Sequence, residues 1–212
     1  MSPAEGTTVD AILERSRRLG FLGPGSVRVH LDHALGFAAG FPRPPDRFLD
    51  LGSGGGVPGL VLALHWPDAA VVLLDASERR CAFLDESVVA LGCDDRVTVV
   101  RARAETAARR PDLRGRFQAV VARGFGPPAV TAECGAPFLQ VGGHLVVSEP
   151  PVTAPGAGTA DDRWPSEGLA LLGLRPEREW EHPFHYCSFV LERPCPSRYP
   201  RREGIPAKRP LF

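Results

Sequence analysis

Asp50-Leu51-Gly52-Ser53-Gly54-Gly55-Gly56-Val57-Pro58-Gly59 is the stretch on which the fold of this chain turns. Just before it, Arg47-Phe48-Leu49-Asp50-Leu51 reads as a short buried strand. Just after it, Leu60-Val61-Leu62-Ala63-Leu64 reads as a helix. A glycine-rich turn between a first strand and its helix lets the backbone approach a ligand closely. Outward from the turn, the same alternation continues. Ala70-Val71-Val72-Leu73-Leu74 is a second strand ending at Asp75, and residues 78–91 are helical, with Cys81, Phe83, Leu84, Val88 and Leu91 near one face. Residues 96–100, 117–122 and 143–148 read as further strands, and 127–140 as a helix. Strand and helix alternating over short connections predict a parallel sheet with helices on both faces. Residues 175–182 and 185–192 are strand-like runs joined by Pro183-Phe184, which predicts an antiparallel hairpin closing the sheet.

Three cofactors compete for such a turn. A nucleoside triphosphate loop needs Gly-Lys-Ser/Thr, but Leu60 follows Gly59. A dinucleotide fingerprint would hold a pyrophosphate at the helix N-terminus. The strand ends in Asp50, whose carboxylate would repel a pyrophosphate and attract the amino group of a methionine moiety. The helix N-terminus, with Pro58 suited to its first turn, would favour the methionine carboxylate. Asp75 ends the second strand 19 residues after Gly56, where an acid accepts hydrogen bonds from ribose hydroxyls. The pattern therefore points to S-adenosylmethionine, a cationic sulfonium that tolerates an acidic lip.

Composition bounds the remainder. Apolar residues make up 43% of the 212, enough for a substantial core, and the formal net charge is zero, so any basic surface must be local. Lys208 is the only lysine. The five cysteines have no Cys-x-x-Cys spacing and no histidine at zinc-finger distance, which argues against a metal site and fits free thiols in a reducing compartment. Cys81 and Cys187 are expected in the core. The N-terminus lacks a basic segment followed by an apolar run, and no stretch has the length of a membrane helix, so the expected location is cytoplasmic, away from membranes. Before the turn, Thr7 or Thr8 would cap a helix over residues 7–20, residues 26–39 form a second, and Phe41-Pro42-Arg43-Pro44-Pro45 is a connector. The organisation read is a helical extension over 1–45, the main domain over 46–193 and a basic, irregular tail over 194–212, with residues 150–163 as a mobile loop.

The chain resembles the bacterial 16S ribosomal RNA guanine-N7 methyltransferases, the glucose-inhibited division protein B family. The resemblance is carried by the turn ending Gly56-Val57-Pro58-Gly59 and by Leu73-Leu74-Asp75-Ala76-Ser77-Glu78-Arg79-Arg80-Cys81-Ala82-Phe83-Leu84. It continues in Arg101-Ala102-Arg103-Ala104-Glu105, in Val121-Ala122-Arg123-Gly124-Phe125 and in the tail from Arg198 to Leu211. It implies a Rossmann-like class I methyltransferase with a mostly parallel seven-stranded sheet and a small N-terminal helical extension. It also implies cofactor contacts at Gly52 and Val57, Ala104 and Glu105 at the adenine, and Arg123 as the catalytic residue lining both cofactor and substrate. Ser53, Gly54, Gly56, Ala76 and Arg80 complete the expected cofactor set with Asp50, Pro58 and Asp75. The implied partner is 16S ribosomal RNA or the small-subunit particle, bound by a monomer.

Guanine N7 carries a lone pair and no proton, so transfer needs positioning and charge management rather than a base. That agrees with Arg123-Gly124-Phe125-Gly126-Pro127-Pro128 standing where amine methyltransferases carry Asn/Asp-Pro-Pro-aromatic. In the tail, Arg198, Arg201, Arg202, Lys208 and Arg209 with Tyr199 suit a phosphate backbone and a base to stack on. Six arginines between residues 101 and 116 would extend that patch. One departure stands out: Val147-Ser148-Glu149-Pro150 places an acid where the family carries a lysine, unfavourable beside an RNA phosphate. The N-terminal His30-Leu31-Asp32-His33-Ala34-Leu35 only partly echoes the family's His and Asp-Ser-Leu motif. The competing functions are a diverged methyltransferase acting on a small molecule or another RNA, a non-catalytic cofactor- or RNA-binding module, and, weakest, a nicotinamide dehydrogenase.

Overall fold

The alternating apolar pattern around the glycine turn produces a seven-stranded sheet in a computed structural model that describes residues 8–150 and 160–212. Strands β1 (Arg47–Leu51), β2 (Ala70–Asp75), β3 (Val97–Arg101), β4 (Phe117–Ala122) and β5 (Leu139–Glu149) run parallel. Strand β6 (Leu174–Glu181) and β7 (His185–Leu191) form the antiparallel hairpin that the Pro183-Phe184 junction predicts, and the spatial order is β3-β2-β1-β4-β5-β7-β6. Order reverses between β1 and β4, the position where open α/β sheets bind ligands at their carboxyl ends.

Side chains alternate across the central strands, so each strand feeds two cores. Leu49, Leu51, Val72, Leu74 and Val120 pack on one face against α5 (Ala104–Ala107), α6 (Pro128–Gly135) and α8 (Ser166–Leu172). Phe48, Val71, Leu73, Ala119 and Val121 pack on the other face against α1 (Val9–Arg18), α2 (Val27–Ala38), α3 (Gly59–His65) and α4 (Glu78–Ala90). The Thr8 hydroxyl caps α1 by accepting from the Ala11 N–H at 3.3 Å. Helix α2 is locked to the hairpin. Tyr186 Oη donates to the His33 carbonyl at 2.8 Å and Trp180 Nε1 to the Gly36 carbonyl at 2.9 Å, while a Cβ on Gly36 would stand 2.1 Å from Tyr186 Oη. Cys81 and Cys187 are buried core thiols.

Helical structure after β4 ends earlier than the pattern predicts, at Gly135, followed by a single 3-10 turn over Ala136–Phe138. The mobile loop expected over 150–163 falls largely on 151–159, outside the described residues, but its end is helical, as α7 (Ala160–Arg163).

The tail has little regular structure, as its composition predicts, but it is docked on the rest of the chain. It folds back across α5 and α6 and ends in α9 (Ile205–Lys208). Arg114 holds it with a guanidinium that donates to the carbonyls of Tyr199 at 2.8 Å, Cys195 at 3.0 Å and Pro196 at 3.1 Å. Glu133 on α6 is fully buried and accepts from the Arg201 backbone N–H at 2.8 Å and from its guanidinium at 2.6 Å. Tyr199 is itself 6% exposed, inside the core. Two of the six expected RNA contacts, Tyr199 and Arg201, are therefore committed to holding the chain together. The arginines of 101–116 are similarly engaged: Arg109 donates to the Pro200 carbonyl, Arg110 pairs with Asp112, Arg101 with Glu78 and Arg103 with Glu203.

Removing Arg201 strands a buried carboxylate, which costs far more than an exposed ion pair. The variant Arg201→Ala should lose about 3 kcal/mol of stability, a fall in Tm of about 6–12 °C for a chain of this size. Adding Glu133→Gln, which removes the stranded charge and keeps an acceptor for the backbone N–H, should recover more than half of that in a calorimetric scan. Equal Tm values for wild type and Arg201→Ala would contradict this role.

Candidate functional site

At the carboxyl end of β1 the chain makes a turn that needs glycine at three positions, with φ of +74° at Gly52, +53° at Gly54 and +93° at Gly56. The turn is held from β2: the N–H groups of Gly52 and Ser53 donate to the Leu74 carbonyl at 2.8 and 2.9 Å, and Gly54 N–H donates to Asp75 Oδ2 at 2.9 Å. Asp75 Oδ1 accepts from Ser77 N–H at 2.8 Å, starting α4. From above, Ser16 on α1 donates to the Gly55 carbonyl at 2.9 Å.

Asp50 is not on the lip of the turn, as its charge led us to expect. It lies beneath it, 1% exposed, with Oδ2 accepting the Gly59 N–H at 2.9 Å. The reason is steric and polar together. A Cβ on Gly59 would sit 2.3 Å from Asp50 Oδ2, so glycine there lets helix and carboxylate meet, and the first free N–H of α3 is consumed. Pro58 contributes no N–H, so this helix start does not present the donors expected to favour a methionine carboxylate. Asp50 Oδ1 is buried with no hydrogen-bond partner among the described residues, and burial pushes the carboxyl up to about 7. Gly56 and Pro58 are likewise buried behind the turn.

Three cavities meet above the sheet edge. One of about 230 Å³ has Gly52, Asp75, Ala76, Ala104, Glu105 and Phe125 in its wall. A second, about 270 Å³, is walled by Ser53, Gly54, Val57, Arg80 and Arg123. A third, about 360 Å³, is walled by Arg123, Phe125, His33, Thr131, Glu149 and Arg163. Gly52 belongs to the first two and Arg123 to the last two, so the three are contiguous through these residues. The structure thus brings together every residue of the expected cofactor set except Asp50, Gly56 and Pro58.

The walls fit an adenosine carrying a charged chain. A side chain at Gly52 would place its Cβ 2.7 Å from the Phe125 ring, so glycine keeps the space beside Phe125 open. Asp75, with Arg80 3.7 Å away, presents carboxylate oxygens that each have a second lone pair beyond their backbone bonds. Glu105 accepts from Gly204 N–H at 3.0 Å, which brings the tail over the first cavity and Ala207 into its wall. The acid of most concern, Glu149, is paired with Arg163 at 2.5 Å and its side chain is 5% exposed. The mouth of the third cavity therefore holds a neutralised pair rather than a free negative charge.

Sequence reasoning missed His30, Phe125, Ala207 and Arg163 as parts of the site. His30 is 1% exposed and meets Arg123, with Nδ1 3.0 Å from the guanidinium Nη2.

Residues 27–150 match the family model described as GidB, rRNA small subunit methyltransferase G. The chain belongs to this family. It is 36% identical to ribosomal RNA small subunit methyltransferase G of Rubrobacter xylanophilus over 80% of this chain, and spans 66% of that relative's length. It is 36% identical to the protein of that name from Symbiobacterium thermophilum, over 85% of this chain and 76% of that one, and 31% identical to the one from Moorella thermoacetica, with the same coverage of both chains. Among solved structures, cofactor-bound Rv0187 from MTB superposes with a TM-score of 0.61 at 18% identity, covering 90% of this chain and 93% of that one. PigF with SAH superposes with a TM-score of 0.59 at 17% identity, covering 86% and 59%. These two likenesses establish the class I methyltransferase fold. As a member of the small-subunit methyltransferase G family, the chain is an S-adenosylmethionine-dependent methyltransferase. No helix among the described residues is long and apolar enough to cross a membrane.

Asp50 gives the cofactor-free protein a pH signature. In the unfolded chain its carboxyl ionises near 3.8, whereas burial raises it to about 7 in the folded protein. Between those values the folded state holds the proton more tightly, so stability falls as pH rises from about 4 to 7. The variant Asp50→Asn keeps an oxygen for Gly59 N–H and should show a flatter loss across this range in urea denaturation. Identical slopes for the two proteins would contradict the burial argument.

Proposed function

We propose that this chain transfers the methyl group of S-adenosylmethionine to N7 of a guanine in 16S ribosomal RNA. The observation that carries the proposal is Arg123: half-buried at the end of β4, it walls both the cavity beside the glycine turn and the adjoining 360 Å³ cavity. In this reading Ala104 and Phe125 hold the adenine, Asp75 the ribose hydroxyls, and the turn from Gly52 to Val57 the methionine chain. Bound there, S-adenosylmethionine supplies an electrophilic methyl on a sulfonium. The acceptor base enters the third cavity, whose wall includes His33 and Thr131.

Arg123 also discriminates between purines. A guanidinium has only donors, and guanine presents the acceptor O6 beside N7, whereas adenine presents an amino donor there. Recognition through O6 leaves the N7 lone pair free for attack, and no base is required because N7 has no proton to lose. The exposed cations of the docked tail, Arg198, Arg202, Lys208 and Arg209, contact phosphates, and an RNA of the ribosome places the enzyme in the cytoplasm.

Purified protein with labelled S-adenosylmethionine should label small-subunit particles from a strain lacking it, with the label recovered as N7-methylguanosine. Arg123→Lys should lower kcat/KM by about a hundredfold, since an ammonium lacks the planar fork. Neutralising Arg198 and Arg202 should weaken RNA binding and reduce its salt slope by about one per lost phosphate contact. Active protein that methylates only a small molecule, with unchanged kinetics in the tail variant, would overturn the proposal.

A further inference from the structure

Arg123 has its own anchor. His30 lies on α2, 1% exposed, with both ring nitrogens engaged: Nε2 is 3.2 Å from the Gly23 carbonyl and Nδ1 is 3.0 Å from Arg123 Nη2. A carbonyl can only accept, and a guanidinium can only donate. One form of imidazole satisfies both partners: neutral, with the proton on Nε2 and the lone pair on Nδ1. The other neutral tautomer sets lone pair against carbonyl and N–H against N–H. The imidazolium sets N–H against guanidinium. Water cannot repair either mismatch at a site this buried.

We propose that His30 is the positioning residue that fixes Arg123, accepting from one guanidinium nitrogen so that the remaining donors stay available to the acceptor base. The inference rests on the function proposed above and adds a residue to it.

Position in the fold supports this role. Helix α2 is pinned to the β6–β7 hairpin by Tyr186 and Trp180, so His30 is held by rigid structure rather than by the loop that carries Gly23. Arg123 follows directly on β4, where the chain turns at Gly124 with φ of +61° before α6 begins at Pro128. The groups facing His30 are Arg123 at the end of β4, His33 on its own helix and the Gly23 carbonyl. Asp50 and Tyr186 bear electrostatically on Arg123 itself. Burial and the Arg123 charge both hold the imidazole below its ordinary range, which keeps it neutral at physiological pH. Loss of the anchor on acidification follows, as pH falls through that lowered value.

Two substitutions separate the partners. In His30→Asn the amide oxygen stands near the place of Nδ1 and still accepts from Arg123. In His30→Gln the amide nitrogen stands near the place of Nε2 and keeps only the bond to Gly23. Turnover on undermethylated small-subunit particles should fall about tenfold or more in His30→Gln and stay several-fold higher in His30→Asn. Cofactor affinity by calorimetry should remain within about twofold of wild type in both, because His30 is absent from the walls of the first two cavities. Equal turnover in the two variants, whether high or low, would overturn the inference. A second measurement needs no activity. Nitrogen-15 NMR of histidine-labelled protein should show His30 as the Nε2–H tautomer, titrating below the ordinary histidine value of roughly 6.5. An Nδ1–H tautomer, or titration at the ordinary value, would overturn it equally. Absence of methyl transfer to RNA by wild type would count against the proposed function alone, and the NMR result would then decide the role of His30.

Discussion

The bond from Gly59 N–H to the buried Asp50 carboxylate is the constraint on which the site depends. It joins the end of β1 to the start of α3 across the glycine turn and leaves the turn's outer face to a ligand. Because Asp50 sits underneath, the outer face is built from backbone and from the neighbouring strand. Asp75 ties the turn to β2 through Gly54, and Ser16 ties it to α1 through Gly55. The cost of burying a carboxyl whose Oδ1 has no partner among the described residues is borne beneath the turn, where Asp50 is 1% exposed.

Around that turn, the parts of the site come from separate stretches of chain that share one sheet edge. The first cavity is closed by the tail, through Glu105 and Gly204. The second is roofed by the segment after α1, and the third by α7 and β5 through Arg163 and Glu149. Arg123 stands where the last two meet. In the proposed function a positive charge there, unfavourable for a sulfonium but suited to an oxygen acceptor beside a nucleophilic nitrogen, would serve recognition of the base rather than stabilisation of the cofactor.

Much of the fold was legible in the sequence. Strands β1, β2 and β4 are short apolar runs bounded by turn residues, and the switch from period two to helical spacing is clear around Gly52 to Leu64. Asp75 and Ala76 could be placed at the sheet edge because they end and follow β2, and Ala104 and Glu105 because they lie within four residues of the end of β3. The sequence did not show which way Asp50 points. A strand-end acid can face a ligand or a helix start with equal local propensity, and only the packing of Gly59 decides. The docking of the tail was hidden for a related reason. The tail has no periodicity, and its order comes from Arg114 and Glu133, far away in sequence. Glu149 looked like an exposed acid because its partner Arg163 lies across a segment with no pattern of its own. His30 sat in a partial motif whose register could not be fixed without Arg123 beside it.

The central claim is that the acceptor is N7 of a guanine in small-subunit RNA. It is tested most directly by nucleoside mass spectrometry of 16S ribosomal RNA from cells with and without this protein. The account predicts that one N7-methylguanosine is lost on deletion, returns with the wild-type chain and does not return with Arg123→Ala. An unchanged N7-methylguanosine content in the deletion strain would contradict it.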